Sequence, residues 1–261
     1  MSTHERWTRL LDALGERGRI EVGEAAELLG VSPATVRRDL EELARQQLLT
    51  RTRGGAVLSG VSYDLPLRYK TARKADEKQR IARAAAALVP HGAVVGLNGG
   101  TTTSEVAREL ATRADLAEQV GSTALTIVTN AVNIANELAV RPHVKTVVTG
   151  GVARPHSYEL TGPIATAVLQ ELSLDFAILG VNAVDPRFGA AAHDEGEASA
   201  NRAMAERAGR VIVVADSTKL GQRAFARVCT VPKIHVLVTD HDAPDDLVEQ
   251  LSGQGVDVRC V

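Results

Sequence analysis

Five polar stretches in this chain each follow an apolar run and share one chemistry: Asn98-Gly99-Gly100-Thr101-Thr102, Thr129-Asn130, Thr149-Gly150-Gly151, Gly180-Val181-Asn182 and Asp216-Ser217-Thr218-Lys219. Glycine lets the backbone turn tightly, threonine and asparagine offer donors, and a helix opening just after the first stretch presents free N–H groups to an anion. That stretch reads as a phosphate cradle, although helix N-capping explains a Gly-Gly-Thr turn about as often. It has neither the lysine of a Walker A loop nor the third glycine of a dinucleotide fingerprint, so a small phosphate ester fits it better than a nucleotide. Lys219 is the one lysine in these stretches and offers a point charge to phosphate; Asp216 either bonds a sugar hydroxyl or caps its own turn. His193, followed by Asp194 and Glu195, reads as a contact at the pocket rim, and no second histidine stands at metal-binding spacing. The candidate ligand-binding residues are therefore Asn98, Gly99, Gly100, Thr101, Thr102, Asn130, Gly150, Gly151, Asn182, His193 and Lys219, with no catalytic residue, metal or cofactor expected. Cys229 and Cys260 lack disulfide or zinc spacing and read as core residues, and His235, in an apolar run, as a buried histidine.

A second constellation lies near the N-terminus. Ser32 is placed to cap a helix whose first position is Pro33, with Val36, Leu40 and Leu43 on its inner face and Thr35, Arg37 and Arg38 pointing outward. A short helix over Glu24–Leu29, stopped by Gly30, precedes it, and the two form a helix-turn-helix. Before them Trp7, Leu10, Leu11 and Leu14 recur at helical spacing until Gly15 and Gly18 break the pattern. After them Leu48–Val57 alternates around Gly54-Gly55 as a two-stranded wing carrying Arg51 and Arg53. An arginine fork bonds a phosphate or the O6/N7 edge of guanine twice, so Ser32, Pro33, Ala34, Thr35, Arg37, Arg38, Arg51 and Arg53 are the candidate contacts to double-stranded DNA. Residues 1–60 hold nine basic and nine acidic side chains, so this argument rests on placement rather than net charge. A helical interaction domain with exposed arginines is the plainer alternative.

The elements that must position these residues follow from periodicity. Apolar runs at 93–98, 125–129, 144–149, 175–180, 210–215, 235–239 and 256–260 alternate with helical stretches at about 103–112, 131–140, 163–172, 195–208 and 244–252. That order predicts an α/β fold: a doubly wound, mainly parallel sheet with helices on both faces and ligands at its carboxyl edge, behind an N-terminal winged helix-turn-helix. The expected domains are 1–58, a basic linker with the start of a helix at 59–83, and 84–261. With 261 residues, 44% hydrophobic and only 3% aromatic, the chain must build an aliphatic core, which excludes a disordered chain or a fibre. The net charge of -2 carries no whole-chain signal for nucleic acid or membrane. A polar N-terminus and the absence of a long apolar run predict a cytoplasmic protein with no membrane partner.

The Ser32–Leu40 stretch and the Thr52–Ala56 wing, followed in order by Gly99-Gly100-Thr101-Thr102, Thr129-Asn130, Gly150-Gly151, Leu179-Gly180 and Ala215–Lys219, closely resemble the DeoR-type bacterial transcriptional regulators over nearly the whole chain. The resemblance implies a repressor of sugar or amino-sugar catabolism genes that leaves its DNA operator when a phosphorylated sugar binds. It also implies a homo-oligomer, dimer or tetramer, on repeated half-sites. The effector domain of such regulators is similar in fold to ribose-5-phosphate isomerase and glucosamine-6-phosphate deaminase, which makes a sugar-phosphate enzyme the competing reading; a sugar-phosphate sensor that does not bind DNA is the third. The two carboxylates that the isomerases use match Leu179 and Asn182 here, and neither can take a proton from a sugar carbon. One departure from the regulators is Asn98, where they commonly carry Asp.

Overall fold

Ser2 opens the first helix, α1 (Thr3–Arg17), through a reciprocal cap: its hydroxyl accepts the Glu5 N–H at 3.2 Å while the Glu5 carboxylate accepts the Ser2 N–H at 2.6 Å. The helix runs through Gly15 and ends only at Gly18, which is left-handed. One interior glycine costs about 1 kcal/mol, less than the burial of Leu10, Leu11 and Leu14 along the same face returns. In the computed structural model, residues 1–46, 48–57, 67, 74–117 and 124–261 are described, and the chain divides into two compact units, Met1–Arg73 and Lys74–Val261.

In the first unit β1 (Arg19–Glu21) leads into α2 (Val22–Leu29), which starts two residues before the expected Glu24 and is stopped by Gly30. Ser32 Oγ then accepts the Thr35 N–H at 3.2 Å and Pro33 takes the first position of α3 (Pro33–Arg45). The wing is β2 (Thr50–Arg51) and β3 (Gly55–Val57), but β1 joins it, giving an antiparallel sheet of order β1-β3-β2. Gly55 belongs to β3 rather than to the turn, because it runs so close to β1 that a Cβ there would lie 1.9 Å from the Ile20 carbonyl oxygen. Leu10, Leu14, Ile20, Val36, Leu40 and Leu43 close the core of this unit.

The second unit begins with α4 (Ala75–Ala86), whose Ile81, Ala82, Ala85 and Ala86 are part of its main core. The boundary expected at 83/84 therefore falls inside an element of this unit. The linker residues 59–66 and 68–73, with Arg68, Lys70 and Arg73 of the basic run, lie outside the described residues. All seven apolar runs are strands: β4 (Val94–Leu97), β5 (Leu125–Thr129), β6 (Val144–Val148), β9 (Leu174–Gly180), β12 (Ala208–Val214), β14 (Val236–Thr239) and β15 (Asp257–Cys260). They form one sheet of order β15-β14-β12-β9-β4-β5-β6 in which every neighbouring pair is parallel. Helices α5 (Thr101–Thr112), α6 (Ala114–Ala117), α7 (Val132–Leu138), α8 (Pro163–Gln170), α9 (Glu195–Glu206) and α10 (Asp245–Ser252) connect them. Alternation along β12 shows the two layers: Ile212 and Val214 enter one core with Ile81, and Val211 and Val213 enter the other with Met204.

Two smaller features were not expected from the sequence. A hairpin of β7 (Val152–Ala153) and β8 (Leu160–Thr161) follows β6, and β10 (Ala183–Asp185), β11 (Gly189–Ala192) and β13 (Ala226–Cys229) form a separate antiparallel sheet. Cys229 is buried but Cys260 is exposed, because β15 is the last strand at the sheet edge. His235 is likewise exposed just ahead of β14, with its Nδ1 accepting the Val211 N–H at 3.0 Å.

Candidate functional site

The first unit sorts its arginines by location. Arg6, Arg17, Arg19 and Arg45 pair with Asp39, Glu24, Glu21 and Glu42. Arg37 and Arg38 on α3 and Arg53 on the wing are exposed and make no ion pair with any described residue. Arg51 donates to the Gly55 carbonyl at 2.7 Å, so its guanidinium is anchored along the wing. Ser32 and Thr35 hold the helix start together, their hydroxyls 3.0 Å apart, with Pro33 and Ala34 exposed between them. The sequence did not reveal what fixes α3 in place. Asp39 is buried and accepts from the Arg6 guanidinium and, at 2.8 Å, from the Trp7 indole, tying α3 to α1. Burial alone would raise the Asp39 carboxyl, but the hydrogen bonds from Arg6 and Trp7 outweigh it and hold the group below the usual carboxylate range.

In the second unit β4 leads outward to β5 and β6 on one side, and β9 to β12, β14 and β15 on the other. The topological switch point, where open α/β sheets bind ligands, is therefore the β4/β9 crevice. Asn98 stands there but spends its amide on the fold: Nδ2 donates to the Gly180 carbonyl and Oδ1 accepts the Gly180 N–H, both at 2.8 Å. At 1% exposed it staples the two strands, which corrects the expectation of a ligand contact through its side chain. Asn182 is half-buried, its Oδ1 accepting the His193 N–H at 3.1 Å. α5 begins at Thr101 with no side chain capping it, and the Ser104 hydroxyl turns back to the Gly100 carbonyl at 2.7 Å, so the first N–H groups of α5 have no side-chain acceptor.

Lys219 closes a single 3-10 turn, Ser217–Lys219, after β12 and is half-buried. Asp216 caps that turn, its Oδ1 accepting the Thr218 N–H at 3.1 Å and the Thr218 hydroxyl, which settles its role in favour of the cap. Gly150 and Gly151 follow β6, at the opposite end of the five-strand span from β12 to β6. The loop that holds them packs against the β7–β8 hairpin, whose Thr161 lies in turn beside Gly196 of α9. Asn98, Gly99, Gly100, Thr101 and Thr102 follow β4 and Asn130 follows the neighbouring β5, while Asn182 and His193 come after β9 and β11 and Gly150 and Gly151 after β6. A Cβ on Gly151 would meet the Thr161 carbonyl oxygen at 2.7 Å, so this glycine serves the close approach of β8.

Glu159 was missed by the sequence analysis and stands at the centre of this group. It comes from the β7–β8 hairpin and packs so closely beneath Gly99 that a Cβ there would lie 2.4 Å from its Cγ. Its carboxyl accepts from Asn130 Nδ2 at 3.0 Å and from Asn201. Nearby Glu197 is held by Arg154 at 2.7 Å, and Arg154 also reaches Asp194 at 3.2 Å. Burial, and then the charge of Glu197, push the Glu159 carboxyl well above its usual value of 4.5; the amide donors only partly offset this. A group with a raised folded-state value stabilises the fold fully below its unfolded value, and that contribution is lost as pH climbs through the folded one. The melting temperature of the chain is therefore expected to fall as pH rises above 4.5, and Glu159→Gln, neutral at every pH, to flatten the slope. Equal slopes in the two proteins, followed by differential scanning calorimetry, would contradict the assignment.

Together these features define a class: a winged helix-turn-helix domain that presents unpaired arginines, joined to a doubly wound α/β domain with a glycine-led, uncapped helix start at its switch point. Residues 6–60 match the DeoR-like helix-turn-helix domain, and residues 73–241 match the DeoR C-terminal sensor domain. The chain belongs to the DeoR family of transcriptional regulators. It is 30% identical over 259 residues to the glycerol-3-phosphate regulon repressor of Escherichia coli (strain K12), an alignment covering 99% of each chain. It is 31% identical over 261 residues to the transcriptional repressor GlcR of Bacillus subtilis (strain 168), covering 99% of this chain and 96% of that one. Among solved structures, ribose 5-phosphate isomerase A of Methanocaldococcus jannaschii aligns with a TM-score of 0.41 at 22% identity, over 56% of this chain and 54% of that one. No helix among the described residues is long and apolar enough to cross a membrane.

Proposed function

We propose that this chain is a cytoplasmic, homo-oligomeric repressor of sugar or amino-sugar catabolism genes. Its α3 enters the major groove of the operator, and a phosphorylated sugar bound at the sheet's carboxyl edge releases it. The observation that carries the DNA half is the sorting of arginines: Arg6, Arg17 and Arg19, on α1 and just after it, are paired with carboxylates and Arg9 is turned to the Leu28 carbonyl, whereas Arg37, Arg38 and Arg53 are left for phosphates and base edges. For the effector half, Gly99–Thr102 and the free start of α5 receive the phosphate, while Lys219 reaches in from β12. The Oδ1 atoms of Asn130 and Asn201 are buried without a donor among the described residues, and they suit a ligand rich in hydroxyl groups. The name of the glycerol-3-phosphate regulon repressor fits a small phosphate ester as signal.

The ligand is held without being turned over. Leu179 is fully buried inside β9 and the Asn182 amide is bonded to His193, so the two positions where isomerases carry carboxylates supply no general base. Effector binding shifts the population between two arrangements of the units, with segment 60–83 carrying the signal. Arg37→Ala tests the DNA half. Operator affinity in a gel shift is expected to fall by about 1–3 kcal/mol with the melting temperature unchanged, and unaltered affinity would reject the assignment of α3.

A further inference from the structure

Beside β11 and β13, two adjoining cavities of about 570 and 280 Å³ share the ring of Phe188. The larger is lined by Arg202, Arg227 and Lys233, with Thr230 beside them; the smaller by Arg187 and Arg223. Arg223 is paired with Asp185 at 3.3 Å, but the other four cations make no ion pair with any described residue. Glu206 is the one acid lining either cavity. On a chain of net charge -2, four cations without an ion pair and a fifth around one aromatic ring repel one another, and Glu206 is one acid against the four.

Two of these cations are also held in place. Arg227 lies 5.3 Å above the Phe188 ring, and the Arg202 guanidinium donates to the Arg227 carbonyl, so the larger cavity keeps its guanidinium groups preset rather than free in solvent. Volumes of this size suit a small molecule. We infer that the two cavities form a second anion site, distinct from the carboxyl-edge crevice, for a small multiply charged organic phosphate. Arg202, Arg227 and Lys233 take its phosphates, and Phe188 with Arg187 and Arg223 packs against the remainder. The position gives the site a regulatory reach. β11 follows directly on Phe188 and leads to His193, and α9 carries both Glu197, near Glu159, and Arg202 at this cavity, so both elements join the two sites.

Isothermal titration of the full chain with ATP and with inorganic pyrophosphate tests this. Wild-type protein is expected to bind at least one of them, more weakly as salt rises. The double variant Arg202→Ala/Lys233→Ala is expected to lose roughly tenfold or more of that affinity, while Lys219→Ala retains it. The altered side chains are exposed or half-buried, so melting temperatures in the absence of the probe should match; should the double variant melt early, Arg227→Gln replaces it in the comparison. The inference is overturned if neither probe binds wild type, or if Lys219→Ala abolishes binding while the double variant keeps it. It is equally overturned if the double variant loses operator affinity and neither probe binds, since the patch would then hold DNA.

Discussion

Replacing Asp39 by alanine is expected to destabilise the N-terminal unit by about 3–5 kcal/mol and to abolish operator binding with it. Asp39 sits between Arg38 and Leu40 on α3, yet its carboxylate points away from DNA, into the contact with Arg6 and Trp7 of α1. Alanine would leave the Arg6 guanidinium and the Trp7 indole N–H without their acceptor, in a place where only 14% of the Arg6 side chain is exposed. A lone buried charge costs far more than the pair contributed when both members were present. Because the Asp39 carboxyl is held below its usual range, its contribution is present above the unfolded value of 3.8 and lost as pH falls through the lower folded one. Thermal unfolding separates this variant from Arg37→Ala: the first lowers the melting temperature of the headpiece and the second does not. An unchanged melting temperature in Asp39→Ala would show that the α1–α3 tie is not structural.

Lys219→Ala should produce a repressor that holds its operator normally and no longer responds to its effector. The backbone of the turn that carries the lysine is held by other groups: Asp216 caps it, and the Asp240 carboxylate accepts the Ser217 N–H at 2.7 Å. Truncation therefore leaves the backbone in place and removes one ammonium from the β12 side of the crevice. A charge-assisted bond to phosphate contributes about 1.5–3 kcal/mol, so the effector concentration for half-release should rise by roughly ten- to hundredfold. Release at the wild-type concentration would mean that the phosphate is held by α5 alone.

The parallel sheet was legible because its strands are covered on both faces, so Leu125–Thr129 or Ala208–Val214 reads as an uninterrupted apolar run. The helix-turn-helix was legible because Ser32, Pro33 and Gly30 do local jobs at fixed positions. β11 was not, since Gly189-Ala190-Ala191-Ala192 is buried along its whole length and shows no alternation. In the proposed site, Gly99–Thr102 and Lys219 were singled out as polar residues that follow strands, but Glu159 was not. Its importance comes from contact with Gly99, Asn130 and Asn201, which are remote in the chain, and the only local trace is that position 99 is glycine. Asn98 shows the reverse error: a polar residue at a strand end looked like a ligand contact, and its partner proved to be the backbone of the neighbouring strand.

The most direct measurement is fluorescence anisotropy of the full chain on DNA from the region upstream of its own gene and on a shuffled duplex of equal length, at fixed salt, with and without phosphorylated sugars and amino sugars. The account predicts a preference for the upstream DNA of about a thousandfold or more, which one of the phosphate esters weakens. Equal affinity for the two duplexes under every condition would contradict it.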